Sequence, residues 1–528
     1  MTEVKRSFTV NGKPFYPLGG EWLYMTGYSI REKSEIDEAF KAIKMIHGNS
    51  LAVEVYWDQI EPEEGKFDFT SVDAIIDGAM RYGVKLILLW FATWKNGNMD
   101  FTPMWIKNNP KRFKRVTSLT GNEIWVLSSH CQANLEADKK AFAALCKHIQ
   151  VEDNVEHTVI GIQVENEPGI IGSDRDYGSE AQTVFDKVVP TKLVQEIKKA
   201  GKGKVFDIWQ QAGGKASGTW SELFGWEAGE LMTAWSIAAY IDGVAEAGKS
   251  NYNIPMFINV WMMEQNWWPL PGEAYPSGGA VTKTLDIYKW FTPHIDFIAP
   301  DNYHIDSRGF ESICATYARA DNPLFFIETN RSSNIFRAIA EYGLTGYFAS
   351  GLEWINADDC KTDPKSKTNV DICQCIAASI PLLLKFQGTS KIHAVIEEEN
   401  LKSQYLDFDG YMGQVQFGPV DLPYRKKREI NGSPHGWGMV IQASRNEFFL
   451  VGDNYRLFLR PKPSVDKMRV PVLVAKSLSL LGHFISVDEG HFDSDGEFKI
   501  DCRRNGDLIS LGLWVTPEIG LVRAVLCE

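Results

Sequence analysis

Two segments of the sequence end an apolar run with a glutamate that could do acid-base or nucleophilic chemistry. The first is "GIQVENEPG", in which Asn166 and Glu167 precede Pro168, and the second is "PLFFIETN", which contains Glu328. Cleavage of a glycosidic bond requires two carboxyl groups, because one protonates the leaving oxygen and the other attacks or stabilises the sugar cation. A single glutamate at a strand end is more often a solvated terminus or a salt-bridge partner than a catalytic group. Whether the two glutamates are catalytic therefore depends on the elements that position them.

The two glutamates belong to a series of eight apolar runs, most of which are separated by helical patterns. The runs cover residues 15–22, 50–57, 84–94, 159–169, 254–263, 295–303, 323–330 and 343–354. Eight strand-helix units predict an α/β fold, a (β/α)8 TIM barrel. The carboxyl ends of the strands in such a barrel share one cavity, so Glu167 on the fourth strand and Glu328 on the seventh should face each other.

The remaining segments predict how the chain is divided into domains. Alternating residues around Asn11 and Gly12 predict an N-terminal hairpin, and the interval around 169–253 predicts an inserted loop region over the active face. After a helix predicted at 369–386, short alternating strands begin. We therefore predict a catalytic barrel over 1–388 and a smaller antiparallel β-sandwich-like domain over 389–528.

Composition and charge exclude several classes of partner. The net charge of −13 argues against nucleic acid or an anionic membrane surface, and no apolar run looks long enough to span a bilayer. The first ten residues lack the apolar core of a secretory signal, so we expect a cytoplasmic location, or a periplasmic or secreted one if a signal peptide was removed. Eight scattered cysteines favour free thiols, and the pair Cys373 and Cys375 is more typical of a helix interior than of a metal site. No motif implies a metal or an organic cofactor.

Several motifs resemble those of the clan A glycoside hydrolases. They are "QVENEPG" on the fourth strand, "FFIETN" on the seventh, "YWDQIEPEEGKFDF" after the second and "YPSGGAVTKTLDIYKWFTPHIDFIAPDNY" leading into the sixth. The likeness is to β-galactosidases of the family 35 and family 42 type. The C-terminal region, with "GWGMVIQASRNEFFLVG" and "RRNGDLISLG", resembles the β domain that follows the barrel in a bacterial subgroup of family 35-like enzymes.

The resemblance implies a role for each matching residue. Glu167 is implied to be the general acid/base and Asn166 its sugar-binding neighbour, while Glu328 is implied to be the nucleophile. Tyr303 falls where members of the clan often hold a tyrosine beside the nucleophile. Trp354 falls where an aromatic floor for the sugar is common.

Other candidate substrate-binding residues lie at the predicted ends of the first three strands. Glu21 and Tyr56 end the first two, and Trp94 and Asn96 end the third. Flat rings can pack on the C–H faces of a sugar, and carboxylates and amides can bind its hydroxyls. The first and third segments, "GGEWLYM" and "FATWKNG", depart from the family 35 patterns, so the choice of sugar stays open.

The expected function is that of a retaining exo-β-glycosidase acting on a terminal non-reducing β-linked sugar by double displacement, with β-galactosides as the first choice of substrate. Retaining enzymes hold their carboxyl groups roughly 5 to 5.5 Å apart. The alternatives are a β-glucoside, β-mannoside or α-L-arabinopyranoside specificity, or a catalytically silent carbohydrate-binding protein. The expected partner is a small oligosaccharide or glycoside, and a homo-oligomer is left open.

Overall fold

A computed structural model describes residues 8–22, 33–265, 268–330, 332–355, 364–398, 401, 403–418, 435–462, 482–510 and 512–527. The predicted N-terminal hairpin is confirmed. Strands β1 (Phe8–Val10) and β2 (Lys13–Phe15) pair in antiparallel fashion. Asn11 and Gly12 both have positive φ angles, of 50° and 74°, as a tight two-residue hairpin turn requires. The hairpin lies at one end of the barrel, because Phe8 packs among the side chains of the barrel interior.

The centre of the larger domain is a curled parallel sheet. In the described part of the chain it has seven strands, in the spatial order β10-β9-β8-β5-β4-β3-β11. In chain order they are β3 (Leu18–Trp22), β4 (Ser50–Tyr56), β5 (Lys85–Lys95), β8 (Val159–Asn166), β9 (Met256–Trp261), β10 (Phe297–Asp301) and β11 (Tyr347–Ala349). Their residues are almost all buried, because both faces of the sheet are covered.

The eighth predicted strand, at 323–330, closes the ring without forming a regular strand. It makes isolated parallel bridges from Thr329 to Asn302 on one side and from Phe326 to Tyr347 on the other. The backbone N–H of Phe348 also donates to the carbonyl oxygen of Phe326 at 2.9 Å. The barrel prediction is therefore confirmed in topology, although 323–330 connects β10 and β11 by only a few backbone contacts.

One long or medium helix follows each of the eight barrel segments in the described residues. These helices are α1 (Lys33–Met45), α3 (Thr70–Tyr82), α5 (Gln132–Glu152), α10 (Ala228–Lys249), α11 (Leu285–Phe291), α12 (Ser307–Tyr317), α13 (Ile335–Tyr342) and α14 (Pro364–Phe386). Further short elements lie in the loops: α2 (Trp57–Ile60), α4 (Met104–Lys107) and the hairpin β6 (Arg115–Thr117) and β7 (Glu123–Leu127).

The structure divides the region predicted as an insertion, 169–253, into two parts of different character. Its first part carries four short helices, α6 (Ser179–Asp186), α7 (Thr191–Ala200), α8 (Lys204–Gln211) and α9 (Trp220–Phe224). Its last part is α10, which packs against α5 and β8 as a regular barrel helix. The added structure over the end of β8 is thus a small helical unit that ends before Ala228.

The C-terminal domain consists of antiparallel strands, as predicted. Within the described residues, six strands pair in the order β12-β15-β16-β21-β18-β19 and four in the order β13-β14-β17-β20. The strands are β12 (Ile392–Ile396), β13 (Ser403–Asp407), β14 (Tyr411–Phe417), β15 (Trp437–Ser444), β16 (Glu447–Asp453), β17 (Tyr455–Pro461), β18 (Phe484–Phe492), β19 (Phe498–Arg503), β20 (Leu513–Trp514) and β21 (Leu521–Leu526), with one short helix, α15 (Gly506–Ser510).

Both domains contribute to one apolar core. The cluster that fills the space between barrel strands and outer helices continues through α14 to residues of the six-stranded sheet, including Ile441 and Val451. In the described residues one helical stretch, Ser366–Phe386, is long and apolar enough to cross a membrane, and 56% of it is buried inside the protein. The sequence-based prediction that no apolar run is long enough to span a bilayer is therefore wrong by length and composition. The stretch is apolar because the barrel and the six-stranded sheet both cover it.

Candidate active site

The backbone at the end of β8 is unusual, because two glutamates one residue apart adopt left-handed conformations. The φ angles of Glu165 and Glu167 are 65° and 46°, which is uncommon for residues other than glycine. The carboxylate of Glu165 accepts a hydrogen bond from the backbone N–H of Trp94 at 2.7 Å and is hydrogen-bonded to Asp138 of α5. The N–H of Glu167 donates to the side-chain oxygen of Asn259 at 2.8 Å. Glu165 is thus held against helix α5 on the outside of the barrel, and the backbone of Glu167 is held by the side chain of Asn259 on β9.

Three carboxyl groups meet at the carboxyl ends of the strands. One oxygen each of Glu167, Asp301 and Glu328 lies within 4.8 Å of the others. Glu167 and Asp301 are buried, whereas Glu328 is half-buried. The carboxyl groups of Glu167 and Asp301 are hydrogen-bonded to each other, which requires a proton between them. The spacing of the three oxygens would also suit a metal ion.

The protonation of this cluster follows from burial and mutual repulsion. Burial, followed by the charge of Glu328, raises the pKa of Glu167 to about 8. Burial raises the pKa of Asp301 well above its ordinary value, and the neighbouring charges of Glu328 and Glu167 raise it further. At neutral pH the hydrogen-bonded pair is therefore protonated, and a carboxylic acid is available beside Glu328.

Tyr303 contacts Glu328 directly, as the resemblance implied. Its hydroxyl donates to Oε1 of Glu328 at 2.6 Å and lies 2.6 Å from the hydroxyl oxygen of Ser350. Burial and the charge of Glu328 raise the pKa of Tyr303, so the hydroxyl stays protonated and serves as a donor. Glu328 is thereby oriented by a phenol from the end of β10.

A network of amides connects the ends of β5, β8, β9 and β10. The side-chain N–H of Asn166 donates to the side-chain oxygen of Asn96 at 3.0 Å. Asn259 donates to Asn166 at 3.1 Å and to Asp301 at 2.9 Å while it accepts the N–H of Glu167. Asn259 therefore fixes the relative positions of the two hydrogen-bonded acids and the predicted sugar-binding amide.

A lysine lies among the acids at the mouth of the barrel. Lys95 ends β5, and its ammonium nitrogen is 4.4 Å from the centre of the Phe91 ring. Burial acts to lower the pKa of Lys95, but the surrounding carboxylates outweigh burial and raise it, with Glu328 first and Glu167 next. Lys95 therefore supplies positive charge beside the carboxyl groups of Glu328 and Glu167.

Glu21 and Tyr56, two further predicted residues, also lie in this region. Glu21 is 1% exposed, and its Oε2 atom has no hydrogen-bond partner among the described residues. Burial raises the pKa of Glu21 well above its usual range, and Glu328 is the next cause. The hydroxyl of Tyr56 donates to Glu54, and its ring stacks on Phe101 at 4.6 Å.

Trp94, predicted to bind substrate, packs away from the site. Its side chain is fully buried in the outer cluster, and its ring meets that of Tyr240 edge-on at 4.9 Å. Thr93 also contacts the outer layer through Asp138, because the register of β5 is irregular between Trp90 and Lys95. A substrate-binding role is therefore incorrect for Trp94. The side chain of Trp354 lies outside the described part of the structure.

Sequence reasoning missed three residues of the site, Asp301, Asn259 and Lys95. Asp301 ends the sixth barrel segment as Glu167 ends the fourth, so the same strand-end signal could have found it. Asn259 is an amide within an apolar strand, where burial demands hydrogen-bond partners. Lys95 is a charged residue at the end of a buried barrel strand, so the strand-end signal also indicates it.

Comparison with known proteins agrees with this geometry. Residues 29–221 match the glycoside hydrolase family 42 profile, described as β-galactosidase, and residues 374–516 match a domain of unknown function, DUF5597. A human (Homo sapiens) protein, β-galactosidase-1-like protein 3, is 28% identical over 179 residues, which are 33% of this chain and 25% of that protein. The chain thus spans about a quarter of the length of this relative.

Similar solved structures include a β-amylase domain and a family 42 β-galactosidase. The catalytic domain of β-amylase from Paenibacillus polymyxa is 11% identical, with a TM-score of 0.49, over 67% of this chain and 96% of that one. A family 42 β-galactosidase from G. stearothermophilus is 15% identical, with a TM-score of 0.46, over 69% of this chain and 57% of that one.

The barrel with acidic strand ends and the match of residues 29–221 make this chain similar to glycoside hydrolases. The similarity over 29–221 is to the family 42 β-galactosidases, and residues 374–516 match a separate domain.

Proposed function

We propose that this protein is a retaining exo-β-glycosidase with a preference for terminal β-galactosides. The observation that carries the proposal is the close approach of Glu167 and Glu328, whose nearest oxygens are within 4.8 Å. Retaining glycosidases hold their carboxyl groups about 5 to 5.5 Å apart, whereas inverting enzymes leave room for a water at about 6.5 to 9.5 Å. The spacing supports direct attack by a carboxylate.

The two glutamates differ in their surroundings in a way that supports different roles. Glu328 accepts a hydrogen bond from Tyr303 and lies near the cation of Lys95, which favours a carboxylate ready to attack. Burial and the charge of Glu328 raise the pKa of Glu167 to about 8, which favours a carboxylic acid at neutral pH, and the hydrogen bond with Asp301 acts in the opposite direction.

The proposed reaction has two steps. In the first, the carboxylate of Glu328 bonds to the anomeric carbon while Glu167 gives its proton to the departing glycosidic oxygen. Esterification removes the negative charge of Glu328, which is one cause of the raised pKa of Glu167, so that pKa falls. In the second step the ionised Glu167 takes a proton from water, the water oxygen bonds to the anomeric carbon, and the ester bond to Glu328 breaks.

Polar side chains other than Glu167 and Glu328 select the sugar. Asn166 is held by Asn96 and Asn259 beside Glu167, which supports the binding of a sugar hydroxyl next to the anomeric centre. Among the residues that the structure describes, one buried oxygen of Glu21 has no hydrogen-bond partner, and Lys95 offers an ammonium group. These side chains provide an acceptor and a donor for further hydroxyls.

The proposal is tested with nitrophenyl glycosides that differ at one hydroxyl. The panel contains the β-galactoside, β-glucoside, β-mannoside and α-L-arabinopyranoside, and proton NMR identifies the anomer released first. We expect the β-galactoside to react fastest with retention, and the Glu328→Gln variant to be inactive on all four. Faster hydrolysis of another glycoside in the panel would replace β-galactoside as the assigned substrate. Binding without turnover by the wild type would indicate a catalytically silent carbohydrate-binding protein. Release of single sugars from the non-reducing end of an oligosaccharide would establish exo-action.

A further inference from the structure

The loops that carry Tyr303 and Glu328 are joined to each other by side chains. We call residues 302–307 the tyrosine loop and the described residues 328–330 and 332–334 the nucleophile loop. The side-chain N–H of Asn330 donates to the carbonyl oxygens of Tyr303 at 2.9 Å and His304 at 3.1 Å. Asn334 donates to the carbonyl oxygen of Ile305 at 3.2 Å. The two loops therefore form one hydrogen-bonded unit.

A glutamate of the C-terminal domain is attached to this unit. Glu398 follows β12, and its Oε2 accepts a hydrogen bond from the hydroxyl of Ser307 at 3.2 Å. Its Oε1 accepts a hydrogen bond from the guanidinium of Arg337 at 2.8 Å. Ser307 begins α12 directly after the tyrosine loop, and Arg337 lies in the first turn of α13 directly after the nucleophile loop. A single carboxylate thus bridges the helices that follow both loops.

The same helix is held by the C-terminal domain through an aromatic contact. Phe336, the neighbour of Arg337 in α13, stacks on Trp437 of β15 with ring centres 5.4 Å apart and planes 11° apart. The hydroxyl oxygen of Ser307 is also 3.2 Å from the side-chain oxygen of Asn334, so its one proton lies between Asn334 and Glu398 and joins Glu398 to the nucleophile loop. Apolar packing holds α13 in place, and Glu398 connects its first turn to the tyrosine loop.

We propose that Glu398 is a positioning residue, through which the C-terminal domain keeps the phenol of Tyr303 aligned with the carboxylate of Glu328. This assigns a role in catalysis to part of a domain whose matching family is described as of unknown function. The alignment concerns the 2.6 Å hydrogen bond between Tyr303 and Glu328. The expected effect of Glu398 on turnover rests on the proposed function, whereas its expected effect on the two loops does not.

The test compares Glu398→Ala with Glu398→Gln and with a control, Glu518→Ala. The control removes another ion pair between the two domains, from Glu518 to Lys367 of α14 at 3.6 Å. In the alanine variant Arg337 keeps its ion pairs with Glu311 and Glu341, so no buried charge is left alone and the fold should persist. The melting temperature verifies this for each variant.

Hydrogen–deuterium exchange is measured on peptides that cover the tyrosine and nucleophile loops. We expect faster exchange in both loops for Glu398→Ala and exchange close to wild type for Glu398→Gln, because the amide oxygen of glutamine can accept from Arg337 while its NH2 group donates to the hydroxyl oxygen of Ser307. With the best nitrophenyl glycoside, kcat of the alanine variant should fall by roughly tenfold with little change in KM, because misplacement affects the transition state. The control should change neither quantity.

Two results would overturn the proposal: unchanged exchange in both loops of Glu398→Ala, or the same increase in the control. Equal losses of kcat in the alanine and glutamine variants would also contradict it, since the conservative change preserves the acceptor. If the wild type hydrolyses no glycoside, the proposed function fails, and the exchange measurement still decides whether Glu398 positions the loops.

Discussion

Replacement of Asp301 by asparagine tests whether this buried acid is neutral in the resting site. Asparagine has nearly the same shape, and it can donate to Glu167 and accept the 2.9 Å hydrogen bond from Asn259. The variant therefore removes a proton and any charge but leaves the contacts in place. The pH dependence of kcat/KM then reports which form of Asp301 the wild type contains.

The magnitude follows from the geometry. Two ionised carboxylates within 4.8 Å repel each other by at least about 3.5 kcal/mol at an effective dielectric constant of about 20, which corresponds to roughly 2.5 pH units in the titration of either. The acid form of Glu167 is needed for the first step, and its pKa is about 8, so kcat/KM should be retained below that pH and lost above it. If Asp301 is already protonated, Asp301→Asn should move this alkaline limb by less than about half a pH unit.

The assay is the hydrolysis of a nitrophenyl glycoside between pH 5 and 10, for the wild type, Asp301→Asn and Asp301→Ala. Alanine removes the hydrogen bond to Glu167, so kcat/KM should fall by roughly 10- to 100-fold, the cost of about 1.5 to 3 kcal/mol for a hydrogen bond to a charged group. A downward shift of the alkaline limb by two pH units or more in Asp301→Asn would refute the reasoning, because it would show that the wild-type residue is ionised.

Three further predictions concern the roles of the glutamates, the lysine and the second domain. Glu167→Gln should hydrolyse activated aryl glycosides slowly and be accelerated by azide to give a β-glycosyl azide, whereas Glu328→Gln should lose all hydrolysis and any azide product should be the α anomer; near-normal hydrolysis by Glu328→Gln would contradict the assignment. Lys95→Met keeps an apolar contact with Phe91 but removes a charge that lowers the pKa of Glu167, so the alkaline limb should move to higher pH, and a downward movement would exclude this role. Truncation after Gly388 should expose the shared apolar core and give aggregates on size-exclusion chromatography; a monomeric, fully active barrel would show that the domain is dispensable.

The strand ends illustrate how far the sequence carries the argument. A buried parallel strand is a local apolar run, and the barrel topology brings every strand end to one mouth, so Glu167 and Glu328 could be placed together without coordinates. The same rule could have indicated Asp301. Strand alternation alone would point Thr93 inward, yet its hydroxyl donates to Asp138 in the outer layer, because β5 and β8 have an irregular register between Trp90 and Lys95. Such a shift is not visible in either segment alone.

The sequence by itself determined the order of the elements, the turn at Asn11 and Gly12 and the acidic residues that end the barrel strands, because these depend on local periodicity and backbone preference. Only the tertiary structure decided which acids share a proton. The pairing of Glu167 with Asp301 depends on the left-handed backbone at residue 167 and on a hydrogen bond from Asn259, which is on the next strand, 92 residues further along the chain. The attachment of Glu398 to the helices after both catalytic loops is likewise a contact between domains. Contacts across such separations depend on packing, which no local pattern encodes.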